Sequence, residues 1–220
     1  MKYTLVIFDM DGTILNTIDD LADSMNVILA RHNYPLHTTE EIRFMVGNGI
    51  PKLVERAIPQ NIKPDSTEYK DFLAEYAEYY KAHSAIKTRP YDGIVETIKQ
   101  IRSMGIKTAV NTNKLEDAAR ILVEDYFKDC FDFLVGGKDG RQPKPAPDSN
   151  NYILAQAGIT PEEAKHSVVY IGDSDVDVQT AQNSGMDFIG CDWGFRGEQF
   201  LKAHGAKITA KTPKDLLKYI

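Results

Sequence analysis

Thr4-Leu5-Val6-Ile7 is an apolar run without polar alternation, and two carboxylates, Asp9 and Asp11, follow it almost at once. A run of that kind reads as a strand buried on both faces, which belongs inside a parallel sheet. Carboxylates straight off such a strand are expensive to place. Gly12 lets the backbone turn sharply after them, and helical spacing starts just beyond. Strand, turn and helix in this order are where open α/β sheets build their sites. For this stretch alone, a plain turn rich in Asp and Gly is the alternative.

From Leu15 to about Arg31, apolar residues at Leu15, Ile18, Leu21, Ala22, Met25, Ile28 and Leu29 predict a helix. Thr38 or Thr39 followed by Glu41 starts another. Gly47-Asn48-Gly49 interrupts it, and Pro51 opens a short helix through Leu53, Val54 and Ala57. About Asp65 to Ala82 is helical again and carries Tyr69, Phe72, Leu73, Tyr76, Tyr79 and Tyr80, an aromatic stripe read as bundle packing. Residues 15–88 hold no convincing strand and are expected to form a separate helical domain.

After the linker Thr88-Arg89-Pro90-Tyr91-Asp92-Gly93 the pattern changes to strand and helix in alternation. Strands are expected at Ile106–Val110, Phe131–Val135, Ser167–Ile171, Phe188–Gly190 and near Lys207–Thr209. Helices are expected at Ile94–Met104, Leu115–Tyr126, Ser149–Ala157, Asp175–Ser184 and Pro213–Tyr219. The fold class is therefore α/β: a Rossmann-like, doubly wound parallel sheet built from residues 1–14 and 89–220, with residues 15–88 inserted.

Chemistry-bearing residues fall at the ends of successive strands. Asp9 and Asp11 follow the first. Thr112-Asn113-Lys114 follows Lys107–Asn111, and Lys144, between prolines, follows the Phe131 strand. Asp173 and Asp177, in Gly172-Asp173-Ser174-Asp175-Val176-Asp177, follow the Val168 strand. In a parallel sheet these ends share one edge, so remote segments converge on one crevice. Singly, each has a plain alternative: a helix cap at Thr112-Asn113, a solvated loop lysine, a first-turn charge pattern at 173–177.

In this order the segments resemble the four motifs of the haloacid dehalogenase-like hydrolases, and the likeness spans essentially the whole chain. Asp9-Met10-Asp11-Gly12-Thr13 matches the phosphatase form of the first motif, and the helical insert resembles that family's cap domain. The dehalogenases of the family lack the second Asp-Gly-Thr, so Asp11, Gly12 and Thr13 point to phosphoryl transfer. The resemblance implies Asp9 as nucleophile and metal ligand. It implies Asp11 as general acid and base, giving the metal its backbone carbonyl. Asp173 is implied as a direct ligand, with Asp177 supporting the metal directly or through water. Gly12, the Thr112 hydroxyl and the Asn113 N–H would hold phosphoryl oxygens, and Lys144 would neutralise nucleophile and phosphoryl charge. Clustered carboxylates and a phosphate suit Mg²⁺.

Met45 to Ala57, with Tyr79-Tyr80-Lys81-Ala82-His83 and Arg89-Pro90-Tyr91-Asp92-Gly93, resembles the cap motifs of phosphoglycolate phosphatases. Gly49, before a helix start, would clamp the carboxylate of a small acid such as 2-phosphoglycolate. One departure stands at Asn16, where those enzymes usually carry Asp. The expected function is Mg²⁺-dependent hydrolysis of a small phosphorylated metabolite through a phospho-aspartyl intermediate at Asp9. An inorganic pyrophosphatase or sugar phosphomutase on the same core, or a non-catalytic binding protein, are the alternatives.

A net charge of −6, from 26 Lys+Arg against 32 Asp+Glu, gives no general attraction to nucleic acid or an anionic membrane. Cys130 and Cys191 form no metal-type pair or disulfide framework. No run is long enough to span a bilayer, and the first residues show no signal-peptide pattern. A cytoplasmic monomer or homodimer is expected.

Overall fold

Leu5, Val6, Ile7 and Phe8 form β1 (Leu5–Phe8), and all four are fully buried. Val6 and Phe8 pack on one side with Ile98, Ile101, Val110 and Leu122. Leu5 and Ile7 pack on the other with Ile153, Leu154, Val168 and Tyr170. Both faces of one strand are therefore covered, as an unbroken apolar run requires. Each such aliphatic or aromatic side chain contributes about 1.5–3 kcal/mol by leaving water. The structure is a computed structural model that describes residues 2–138 and 140–220.

The elements follow in chain order. After β1 come β2 (Leu15–Asn16), α1 (Ile18–Arg31), α2 (Thr39–Met45), α3 (Ile50–Ala57), α4 (Thr67–His83) and β3 (Arg89–Pro90). Next are α5 (Ile94–Ser103), β4 (Lys107–Leu115), α6 (Glu116–Tyr126), β5 (Phe133–Gly137), α7 (Asp148–Ala157) and α8 (Pro161–Ser167). Then follow β6 (Val168–Gly172), α9 (Asp175–Asn183), β7 (Asp187–Cys191), α10 (Gly197–Ala203), β8 (Ile208–Ala210) and a closing 3-10 helix, Pro213–Lys218. The chain divides into two compact units: residues up to Leu15 with Pro90–Ile220, and Asn16–Arg89.

In the first unit a six-stranded sheet has the order β5-β4-β1-β6-β7-β8, and its pairs are parallel. The α/β Rossmann-like class is as the alternation predicts. β1 lies between β4 and β6, with Phe8 opposite Val110 on one side and Ile171 on the other. The winding reverses there, so the crevice at the carboxyl end of β1 is the topological switch point.

Several boundaries depart from the expected ones. β4 runs on to Leu115 through an irregularity: Asn111 faces Val135, but Leu115 faces Gly137. β5 begins at Phe133, not Phe131. α8 is an additional helix, because Ala164 is its buried residue and no apolar period marks it in the sequence. Its Thr160–Glu163 capping box fixes its start instead. β2 and β3 are too short to leave a periodic signal.

The second unit is built from α1 to α4. Met25, Ile28, Leu29, Ile42 and Val54 are buried with Tyr69, Phe72, Tyr76 and Tyr80 of the aromatic stripe. Tyr76 and Tyr80 stack at 5.9 Å, as do Tyr34 and Phe72. The stripe is packing, as its helical spacing implies; Tyr79 instead lines an open groove with His83 and Asp23. The buried Asp20 carboxylate accepts from the N–H groups of Lys87 and Thr88 and from the Thr88 hydroxyl, tying the end of the unit to α1. Among the described residues no helix is long and apolar enough to cross a membrane.

Candidate active site

Asp9 follows β1 directly, and its N–H donates to the Ile171 carbonyl at 2.9 Å, continuing the ladder for one more residue. The chain then folds tightly, with the N–H groups of Thr13, Ile14 and Leu15 all aimed at the Met10 carbonyl. Gly12 has φ +91°, and a Cβ there would strike the Asp173 carboxylate. Glycine is required on both grounds.

Lys144 reaches the same place from the loop after β5. It is 4% exposed, and its Nζ lies 2.6 Å from Asp9 Oδ1, 2.8 Å from Asp177 Oδ1 and 3.1 Å from the Tyr170 hydroxyl. Asn113 holds the loop by both ends of its amide. Its Oδ1 accepts from the Lys144 N–H at 2.8 Å, and its Nδ2 donates to the Lys144 carbonyl at 3.2 Å. Asn183 Nδ2 donates to the Pro145 carbonyl at 2.9 Å. The peptide between Lys144 and Pro145 is cis.

Asp173 and Asp177 come from the β6–α9 junction. Asp173 Oδ1 accepts from the Thr13 hydroxyl at 3.2 Å, and Oδ2 from the Phe195 N–H at 2.7 Å. Asp177 Oδ2 accepts from the N–H groups of Asp173 and Ser174 and from the Ser174 hydroxyl, which also caps α9. Trp193 Nε1 donates to the Thr13 carbonyl at 3.0 Å, and a Cβ on Gly194 would lie 2.6 Å from the Gly12 carbonyl oxygen. The loop after β7 thus closes over Asp173 by backbone contact.

Carboxylate oxygens of Asp9, Asp173 and Asp177 lie within 4.8 Å of one another, all three buried. Burial, reinforced by the Asp177 charge, holds the Asp9 carboxyl well above the usual carboxylate range. Burial and Asp177 likewise push Asp173 up to about 7. Burial works to lower Lys144, but Asp177 and Asp9 outweigh it and hold its ammonium well above the usual lysine range. Two of the three carboxylates, Asp9 and Asp177, therefore share the Lys144 ammonium, and Asp173 stands beside them without it. Such a cluster can bind a cation and steady an anion beside it.

Asp11 and Thr112 join from either side. Lys114 Nζ lies 3.0 Å and 3.3 Å from the two Asp11 oxygens. Thr112 is buried, and its hydroxyl accepts from the Lys114 N–H at 3.1 Å. The structure thus gathers Asp9, Asp11, Gly12, Thr112, Asn113, Lys144, Asp173 and Asp177 at one edge of the first unit. Gly49 belongs to the second unit, where it precedes α3 with φ +81°.

Sequence reasoning places Thr13 in the first motif without a contact, and it assigns no part to Lys114, Tyr170, Ser174 or the loop at 193–195. Lys114 and Ser174 stand inside the quoted motifs and are within its reach. Tyr170 reads as one more apolar strand residue. Phe195 acts through its backbone N–H, which no side-chain pattern signals.

Comparison with known proteins gives the family. The model of the haloacid dehalogenase-like hydrolases matches residues 6–191. Phosphoglycolate phosphatase of Pseudomonas putida is 32% identical over 216 residues, covering 95% of this chain and 74% of that protein. The phosphoglycolate phosphatase of Thiobacillus denitrificans is 31% identical over 86% of this chain and 83% of its own. A solved structure of a putative phosphoglycolate phosphatase from Lactobacillus delbrueckii subsp. bulgaricus superposes with a TM-score of 0.93 at 37% identity, covering 100% of this chain and 99% of that one. The chain belongs to the haloacid dehalogenase-like hydrolases, and within them it is a phosphoric monoester hydrolase of the phosphoglycolate phosphatase-like kind.

Proposed function

We propose that the enzyme hydrolyses a small phosphate monoester, 2-phosphoglycolate, by a Mg²⁺-dependent route through a phospho-aspartyl intermediate at Asp9. The supporting observation is the buried Lys144 ammonium, 2.6 Å from Asp9 Oδ1 and 2.8 Å from Asp177 Oδ1. It draws negative charge from a nucleophile that must approach an anionic phosphoryl group.

The donor set fits Mg²⁺. It is made of oxygens, it carries more negative charge than Lys144 cancels, and burial makes that excess costly. Asp9, Asp173 and the Asp11 backbone carbonyl would hold the ion. Asp177 Oδ2 already accepts from three donors and Oδ1 from the Lys144 ammonium, against one neutral donor on each Asp173 oxygen, which favours support by Asp177 at one remove. When bound, Mg²⁺ supplies positive charge for the nucleophile and the phosphoryl oxygens.

The protein's own groups divide the rest. Asp9 attacks phosphorus, the bond to the leaving oxygen breaks, and Asp11 gives that oxygen a proton. Water then attacks phosphorus and passes a proton to Asp11. The bond to Asp9 breaks, restoring its carboxylate and releasing phosphate. Thr112 and the Asn113 N–H steady the phosphoryl oxygens, beside Gly12, whose lack of a side chain keeps the backbone close. The helical unit serves as a cap that selects the substrate. The backbone turn at Gly47 and Gly49, both with positive φ, leads into α3, whose N-terminal end has the chemistry to suit a carboxylate. Arg56 braces that turn through the Met45 carbonyl and the Asn48 side chain.

Phosphate release from 2-phosphoglycolate, pyrophosphate, sugar phosphates and an aryl phosphate, with and without Mg²⁺, tests the assignment. The expected result is a kcat/KM for 2-phosphoglycolate at least about tenfold above the others, and loss of activity in chelator. A flat profile would remove the substrate, and full activity in chelator would remove the metal.

A further inference from the structure

We propose that Lys114 is the positioning residue for Asp11 and that it governs the second half of the reaction, hydrolysis of phospho-Asp9. The inference rests on the acid–base part given to Asp11 above.

The site contains two buried lysines, and they divide its carboxylates. Lys144 serves Asp9 and Asp177. Lys114 serves Asp11, with its side chain 4% exposed against 18% for the Asp11 side chain. A lysine rarely reaches that burial unless a fold holds it there. β4 does so by its irregularity, since four residues advance along β4 while two advance along β5. The register shift falls on Thr112, Asn113 and Lys114 and re-aims them. Thr112 accepts the Lys114 N–H, Asn113 grips the Lys144 peptide, and Lys114 crosses to Asp11.

A buried ion pair is a poor way to gain stability, because desolvation consumes most of the attraction. It is a good way to fix an orientation. At 3.0 Å and 3.3 Å, the ammonium straddles both oxygens and sets the plane of the carboxylate. A carboxylate in a fixed plane meets the attacking water the same way in every turnover, as water attacks phosphorus, the P–O bond to Asp9 breaks, and the water proton passes to Asp11. The proton gained there is the one delivered to the leaving oxygen of the next substrate.

The test is pre-steady-state turnover of 4-nitrophenyl phosphate with Mg²⁺, whose leaving group needs no proton. Nitrophenolate release reports phosphorylation of Asp9, and phosphate release reports its hydrolysis. In Lys114→Met the first should stay within about threefold of wild type and the second fall about 10- to 100-fold, so that phosphoenzyme accumulates. Lys114→Arg should recover most of the loss. In an Asp11→Asn background, Lys114→Met should change phosphate release by less than about twofold, because it acts through Asp11. Lys114→Gln, checked by circular dichroism, replaces Met if that variant does not fold. Equal slowing of both steps, or a Lys114→Met penalty that persists undiminished in the Asp11→Asn background, would overturn the proposal. Wild-type phosphate release by Asp11→Asn alone would overturn the acid–base part of Asp11, a failure visible without any change at Lys114.

Discussion

Asp9 owes its character to opposing forces within one hydrogen-bond length. Burial and the neighbouring carboxylates oppose its charge, and Lys144 supports it. Asp9→Asn removes the proposed nucleophile and one negative charge while keeping an oxygen for Lys144. Phosphate release should fall at least about 10³-fold in this variant. Its thermal midpoint in chelator should equal or exceed that of wild type, because a crowded charge is gone. Phosphate release and a melting curve on the same preparation check both. Activity near wild type would remove Asp9 as nucleophile. Asp9 and its partner Lys144 were both legible in the sequence. Their contact was not, because a separation of 135 residues carries no local signal.

At the scale of elements, β4, β5 and α6 pack so closely that one position has no room for a methyl group. A Cβ on Gly136 would lie 2.5 Å from Glu116 Cα and 2.8 Å from the Lys114 carbonyl oxygen, both backbone atoms that cannot turn aside. Gly136→Ala should therefore cost about 1–3 kcal/mol of stability, read from denaturant melts. It should also lower turnover, since the same contact seats the end of β4 that carries Lys114. An unchanged midpoint would show that the strands part more easily than their packing implies. The strands and most helices were legible because each repeats an apolar period. The β4 irregularity was not, because Thr112-Asn113-Lys114 is polar and reads equally as a loop or cap. Only pairing against β5 reveals it.

For the whole molecule, the cost of gathering these carboxylates appears as a pH dependence. Asp173 titrates at about 7 when folded without metal, above its unfolded value of about 4. A carboxyl raised on folding adds stability that is complete below the unfolded value and is lost as pH rises through the folded one. The metal-free protein should thus lose stability between about pH 4 and about pH 7. Mg²⁺ should restore it by replacing the protons. The Mg²⁺-induced rise in melting temperature is expected to be larger at about pH 8 than at about pH 6. A rise independent of pH would separate the cation from this cluster.

The sequence alone determined the class of fold and the residue types of the site. An unbroken apolar run must be buried on both faces, and strands alternating with helices must wind a parallel sheet. Their carboxyl ends then share an edge, so Asp9, Thr112, Lys144 and Asp173 were bound to meet. Tertiary structure decided which atoms touch. It put Lys144 between Asp9 and Asp177, aimed Lys114 at Asp11, and closed the Phe195 N–H over Asp173. Apolar periodicity is written locally and repeats, so a chain read in order displays it. A hydrogen bond is set to within a few tenths of an ångström by how strands register and loops close, and those depend on the whole chain at once.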